Sequence, residues 1–119
     1  WLASLASLTG ATMPKNTAPD SYNYLGSWLG KEKTDRPWVI EQASNHTLSV
    51  RTKDWKYIEP SDKPTLEHWT KMETGNNPQP QLYDLSVDPS EKENLAGTHP
   101  DKVKELAILL EKVKAAKTK

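Results

Sequence analysis

Near the end of the chain, Val103, Leu106, Ala107, Leu110 and Val113 recur at three- and four-residue spacing, which places them on one stripe of an α-helix. Thr98 or His99 stands where a helix cap is needed, Pro100 falls in the first turn, Asp101 faces the positive end of the helix dipole, and lysines crowd the other end. Each large member of the stripe stabilises by roughly 1.5–3 kcal/mol when buried, and the inner face of a sheet is the expected receiver. Leu2, Leu5 and Leu8 repeat the helical spacing ahead of Gly10, a natural helix stop. Tyr22, Leu25, Trp28 and Leu29 mark a second, short helix closed by Gly30, with Asp20 or Ser21 as its cap.

From Arg36 the period changes. Trp38, Val39 and Ile40 begin a strand, residues 47–51 alternate polar and apolar side chains, and Trp55, Lys56, Tyr57 and Ile58 continue the pattern. Thr52, Lys53 and Asp54 are few enough to join two of these strands as an antiparallel hairpin. Residues 59–80 hold four prolines and a Gly75-Asn76-Asn77 cluster with little periodicity, so a long loop with at most one ordered turn around Leu66 and Trp69 is expected. Residues 81–85 supply a fourth strand. The predicted class is α+β: a small four-stranded antiparallel sheet packed against a C-terminal α-helix, preceded by an N-terminal helical segment. The last lysine-rich residues are expected to fray.

Composition narrows the chemistry. The chain has 119 residues, of which 34% are apolar, with 16 basic and 16 acidic side chains in balance, which suits a modest core and gives no nucleic-acid or anionic-membrane footprint. It has no cysteine, so a disulfide framework, a thiolate metal site and a cysteine nucleophile are all excluded. No apolar run approaches the roughly 20 residues of a membrane span, and the first residues lack the basic region of a signal peptide. The opening reads as the last turns of a helix that starts upstream, so a fragment of a longer protein is expected.

The most specific stretch is residues 82–96, Leu-Tyr-Asp-Leu-Ser-Val-Asp-Pro-Ser-Glu-Lys-Glu-Asn-Leu-Ala. Physically it couples a half-buried strand to an acidic turn, because Pro89 cannot donate to a sheet ladder. It resembles the LYDL-x-x-DP-x-E-x-x-NLA pattern near the C-terminus of sulfatases of the arylsulfatase family, with every patterned position present. The 38–46 strand and turn, the 48–51 strand ending in Arg51 and the Trp55-Lys56-Tyr57-Ile58 strand extend the resemblance, with Val50 for the usual Ile and Asp54 beside Trp55 as departures. The resemblance implies the smaller C-terminal subdomain of such an enzyme, residues 36–119, with residues 1–35 as a helical and loop connector from a missing N-terminal catalytic domain.

Sulfatases hydrolyse sulfate esters with a formylglycine made in a C/S-x-P-S-R motif and a calcium ion. Neither that motif nor a paired Asp-Asp run occurs here, so no catalytic residue, metal ligand or cofactor site is assigned to this chain. The resemblance implies calcium and formylglycine in the parent enzyme, a sulfated carbohydrate or aryl sulfate as substrate, a periplasmic or secreted location, and inactivity of this piece alone.

Substrate contacts are the remaining candidates. A histidine or polar residue on the turn of His46 faces the sulfate ester in related enzymes, and imidazole donates a hydrogen bond or a proton near neutral pH; a solvated loop histidine is the alternative. Gln42, Ser44 and Asn45 offer donors and acceptors suited to sugar hydroxyls or to local backbone groups. Asn45-His46-Thr47 also fits an N-glycosylation sequon. Arg51, Lys53 and Lys56 have the charge to meet a sulfate, although strand alternation explains such residues equally. Trp69, in the long loop, is the candidate for stacking on a sugar at the pocket rim, whereas Trp55 belongs with the core. Asp84, Asp88, Glu91 and Glu93 miss the spacing of a calcium loop, so Asp88 is expected to bind backbone N–H groups after Pro89 and Asn94 to close the turn.

The sequence therefore points to a pocket-wall subdomain of a sulfate ester hydrolase. The alternatives are a stand-alone carbohydrate-binding or interaction module, a subdomain of a related phosphonate or phosphodiester hydrolase, and a structural domain docked on a catalytic body by an exposed apolar face.

Overall fold

A computed structural model describes residues 1–18, 21–33 and 36–116. Two compact units divide the chain, Trp1–Arg36 and Pro37–Lys119.

In the first unit, helix α1 (Leu2–Thr9) ends at Gly10, whose left-handed φ of 73° lets its N–H and that of Ala11 reach the Ala6 carbonyl. Its polar side faces inward: Ser4 is fully buried, its Oγ accepting from Tyr24 N at 2.7 Å. Leu2, Leu5 and Leu8 are exposed. Helix α2 is a single turn, Leu25–Trp28, with Tyr24 at its cap position. The expected Ser21 cap does not form, because the helix starts at Leu25, beyond the reach of Ser21; Leu25 N donates to Asn23 Oδ1, and the Ser21 hydroxyl accepts from Ala3 N. The alternative cap, Asp20, lies outside the described residues.

The second unit is a four-stranded antiparallel sheet in sequential order, β1 (Val39–Gln42), β2 (Leu48–Arg51), β3 (Trp55–Ile58) and β4 (Gln81–Asp84), followed by helix α3 (Pro100–Ala116). Register aligns Ile40, Val50, Tyr57 and Leu82 in one row across all four strands. With period-two alternation these side chains share a face, and α3 covers it with Leu106 and Leu110 to form the core. Val103 and Ala107 pack against that core and Val113 is buried, so the whole predicted stripe docks. Trp55 also packs there, its ring 5.5 Å from that of His99. The Lys114 ammonium, near the end of α3, pairs with Glu59 and Glu111.

The 82–96 signature is a structural brace. Asp88 Oδ2 accepts from Lys92 N at 2.7 Å and Glu93 N at 2.8 Å, while Asn94 Oδ1 accepts from Leu82 N and Ala96 N. Leu95 N donates to Leu82 O at 2.8 Å, tying the turn back onto β4. Both roles match those expected of Asp88 and Asn94.

Candidate functional site

Alternation leaves the other face of the sheet polar. In the register, Glu41 opposes Ser49, which opposes Ile58, which opposes Gln81. The next row on that face runs Val39, Arg51, Lys56, Tyr83. Among the described residues of the second unit, helix α3 lies on the opposite face. The end of the long loop, at Glu73, Thr74 and Gly75, and the acidic turn, at Pro89, Ser90 and Glu91, wall the polar face into a cavity of about 480 Å³ that Gln42 and Thr47 also line.

Lys56 stands in this cavity, its Nζ 2.8 Å from Glu91 and 3.4 Å from Glu41. Burial works against its charge, but the hydrogen bond to Glu91 and the charges of Glu91 and Glu41 outweigh that, holding its pKa above the ordinary lysine range. Tyr83 donates to Gln81 Oε1 at 2.8 Å, and burial followed by the charges of Glu91 and Glu73 pushes its phenol up. Three carboxylates, Glu41, Glu73 and Glu91, thus face one ammonium across the lining. An excess of carboxylates repels a sulfate and favours neutral, hydroxyl-rich ligand groups.

One rim of this cavity is the turn that joins β1 to β2. His46 N donates to Ala43 O and Ala43 N to Thr47 O, both at 2.9 Å, closing a tight loop. His46 adopts φ 71°, a left-handed conformation that costs a non-glycine residue roughly 1–2 kcal/mol. Its exposed ring lies beside the Gln42 amide, Nδ1 to Nε2 3.1 Å. Asn45 Oδ1 accepts from Thr47 N, and Ser44 is exposed. Gln42, Ser44, Asn45 and His46 share this turn, and of the four Gln42 is the one whose atoms line the cavity. Arg51 sits at the far end of β2, exposed and, like Trp69, outside the cavity lining.

The long loop contains the one ordered excursion expected. Leu66 bridges Glu73, Glu67 N donates to Met72 O at 2.8 Å, and Trp69 stands at the tip, 85% exposed, with the His68 ring edge-on at 4.7 Å. Its base is buried. Thr47, Ser61 and Asn76 form a hydrogen-bonded node there, with Thr47 Oγ1 2.6 Å from Asn76 Oδ1. Sequence reasoning missed Glu41, Thr47 and Asn76 and weighed Glu91 only as part of a calcium loop or structural turn; the outward positions of alternating strands carried the signal for Glu41, and Lys56 was visible as a charge but not as a pair.

No protein-family model matches this chain. Over 112 residues it is 54% identical to an N-acetylgalactosamine-6-O-sulfatase of Bacteroides thetaiotaomicron, a match covering 94% of the chain and 22% of that protein. The arylsulfatase K of Xenopus laevis is 32% identical over 103 residues, covering 87% of the chain and 16% of the relative. A solved structure from work on the metabolism of multiple glycosaminoglycans by Bacteroides thetaiotaomicron superposes with a TM-score of 0.89 at 54% identity, over 95% of the chain and 24% of that structure.

The chain belongs to the sulfatase family. It corresponds to the C-terminal subdomain of these enzymes and spans about a fifth of the length of the Bacteroides sulfatase. A second structure, of Ps i-CgsB, shares the fold with a TM-score of 0.61 at 19% identity, over 92% of the chain and 22% of that structure. Among the described residues of this sulfatase subdomain, no three His, Asp or Glu side chains converge to hold a metal ion, and no helix is long and apolar enough to cross a membrane.

Proposed function

We propose that this chain forms part of the substrate-pocket wall of a sulfatase acting on a sulfated sugar, and that the reaction runs on residues supplied by the rest of that enzyme. The observation that carries the reading is the turn of His46: an exposed imidazole on a left-handed, internally bonded turn whose residues Gln42, Ala43 and Thr47 line a polar cavity. Strain of this kind persists where the surroundings over-determine it, commonly at ligand-facing sites. The 54% identical relative is an N-acetylgalactosamine-6-O-sulfatase, which supplies the substrate class of this reading.

The division of labour follows from charge. Glu41, Glu73 and Glu91 outnumber Lys56 in the cavity, so this face is assigned to sugar hydroxyls and the sulfate to cationic groups elsewhere in the enzyme. His46 donates to the ester or sugar oxygen, Gln42 orients the ring, Asn45 and Ser44 extend the polar rim, and Trp69 offers a ring face to the saccharide. Arg51, at the opposite end of the strand, has no part in this arrangement.

Calcium and formylglycine do not fit the residues present here, since the described side chains offer no converging metal ligands and the chain lacks both cysteine and the C/S-x-P-S-R motif. Both are assigned to the catalytic domain. The exposed leucines of α1 support a chain that packs on such a body, because an outward apolar stripe gains stability only when covered. Export to the periplasm or outside the cell belongs to the same proposal.

The test is inorganic sulfate release from 6-sulfated N-acetylgalactosamine. The intact protein is expected to release it and residues 1–119 alone to release none. No release by the intact protein from this or any aryl sulfate, with turnover of a phosphodiester instead, would replace the reading by the related hydrolase class.

A further inference from the structure

The turn of His46 is held from outside itself. Thr47 is 4% exposed and Asn76 is 5% exposed, although they lie 29 positions apart. An amide oxygen only accepts, so the single Thr47 hydroxyl proton goes to Asn76 Oδ1 at 2.6 Å, and Ser61 Oγ, at 3.1 Å, donates the bond to Thr47 Oγ1. The Asn76 amide has one orientation, because Nδ2 donates to Pro64 O at 2.9 Å and to Thr74 Oγ1 at 3.0 Å; a flip would set oxygen against the Pro64 carbonyl. Lys63 Nζ adds a bond to the Asn45 carbonyl. Both neighbours of His46 are thus fastened to the base of the 59–80 loop.

A non-glycine residue at φ 71° keeps that conformation only when its surroundings enforce it. The local bonds of the turn leave its direction to the flanking residues. The bonds to Ser61, Lys63 and Asn76 fix that direction. They also set the Leu66 to Glu73 excursion, which starts and ends on Pro64 and Thr74, against the same end of the sheet.

We infer that Thr47 and Asn76 are positioning residues for the imidazole of His46, acting through the proton that Thr47 gives to the buried Asn76 amide. The inference rests on the reading that His46 donates to the ester or sugar oxygen of the substrate. Asn76 lies outside the cavity lining, and the Thr47 hydroxyl is engaged by Asn76 and Ser61, so both act by deciding where the ring stands.

The experiment is a double-mutant cycle in the intact sulfatase that contains this chain, measured as kcat/KM on 6-sulfated N-acetylgalactosamine. Thr47→Val keeps the shape but removes the proton, and is expected to lower kcat/KM about tenfold, in keeping with the sensitivity of catalysis to small misplacements. Thr47→Ser restores the proton and most of the rate. In a His46→Ala background, Thr47→Val is expected to cause no further loss in kcat/KM while still lowering the melting temperature, which separates positioning from structural support. Equal losses in both backgrounds, or none in either, overturn the inference and leave the pocket-wall reading standing. A His46→Ala enzyme as fast as the unaltered one overturns that reading and this inference with it. Where Thr47→Val does not fold, Asn76→Ser, whose shorter side chain draws the acceptor away from Thr47, runs the same cycle with the same outcomes.

Discussion

At the scale of single residues, His46 combines an exposed ring with a left-handed backbone, a conformation that Lys71 and Glu91 also adopt in this chain. Glycine adopts that backbone without steric conflict, whereas alanine does not. His46→Gly is therefore expected to leave the chain about 1 kcal/mol more stable than His46→Ala, read as the difference in urea midpoints. Equal midpoints would show that the turn carries no strain. Lys56 makes a different point. Its charge is visible in the sequence, but its partner Glu91 lies 35 positions away, and only the strand register shows that the ammonium is already engaged. The same holds for Thr47 and Asn76, two small polar residues of loop-like composition whose significance comes from being buried together.

At the scale of elements, local pattern carried most of the information. Alternation located all four strands, residues 55–58 without any shift, and the apolar stripe of α3 was the one that docks. Leu110 is 1% exposed against the sheet, so Leu110→Ala is expected to destabilise the chain by about 2–5 kcal/mol, a loss of transfer energy plus a cavity. A cost below about 1 kcal/mol would mean that the helix is not seated as described. Where local pattern failed, it set a boundary too early: α2 starts at Leu25, too far along for Ser21 to cap it, and the Ser21 hydroxyl accepts from Ala3 N instead. The 82–96 signature, the strongest sequence clue to the family, turns out to be a brace whose Asp88 and Asn94 hold backbone groups. The candidate site was half legible. The cluster from Gln42 to His46 is contiguous in sequence and therefore visible, but its cavity is assembled from strands, loop and turn that only the fold brings together.

At the scale of the whole molecule, ionisation and burial act together. Burial and then the charge of Glu59 raise the pKa of Tyr57; burial and then Glu91 raise that of Tyr83. For Lys56 and Lys114, burial is the largest influence and opposes the charge, but their glutamate partners prevail and the pKa rises. All four groups thus titrate at higher pH when folded than when unfolded. The stability they contribute is complete below their unfolded values of 10.0 and 10.5 and is lost as pH climbs through the folded ones. Urea midpoints are expected to fall above about pH 10, with a shallower fall for Tyr57→Phe. A midpoint that rises there would contradict the assigned burial. The pocket-wall reading itself is tested most directly by kcat/KM for sulfate release from 6-sulfated N-acetylgalactosamine by the intact enzyme, unaltered and as His46→Ala. Loss of a donor to the reacting ester is expected to lower it by about a hundredfold, whereas an unchanged value would mean that this turn does not face the substrate.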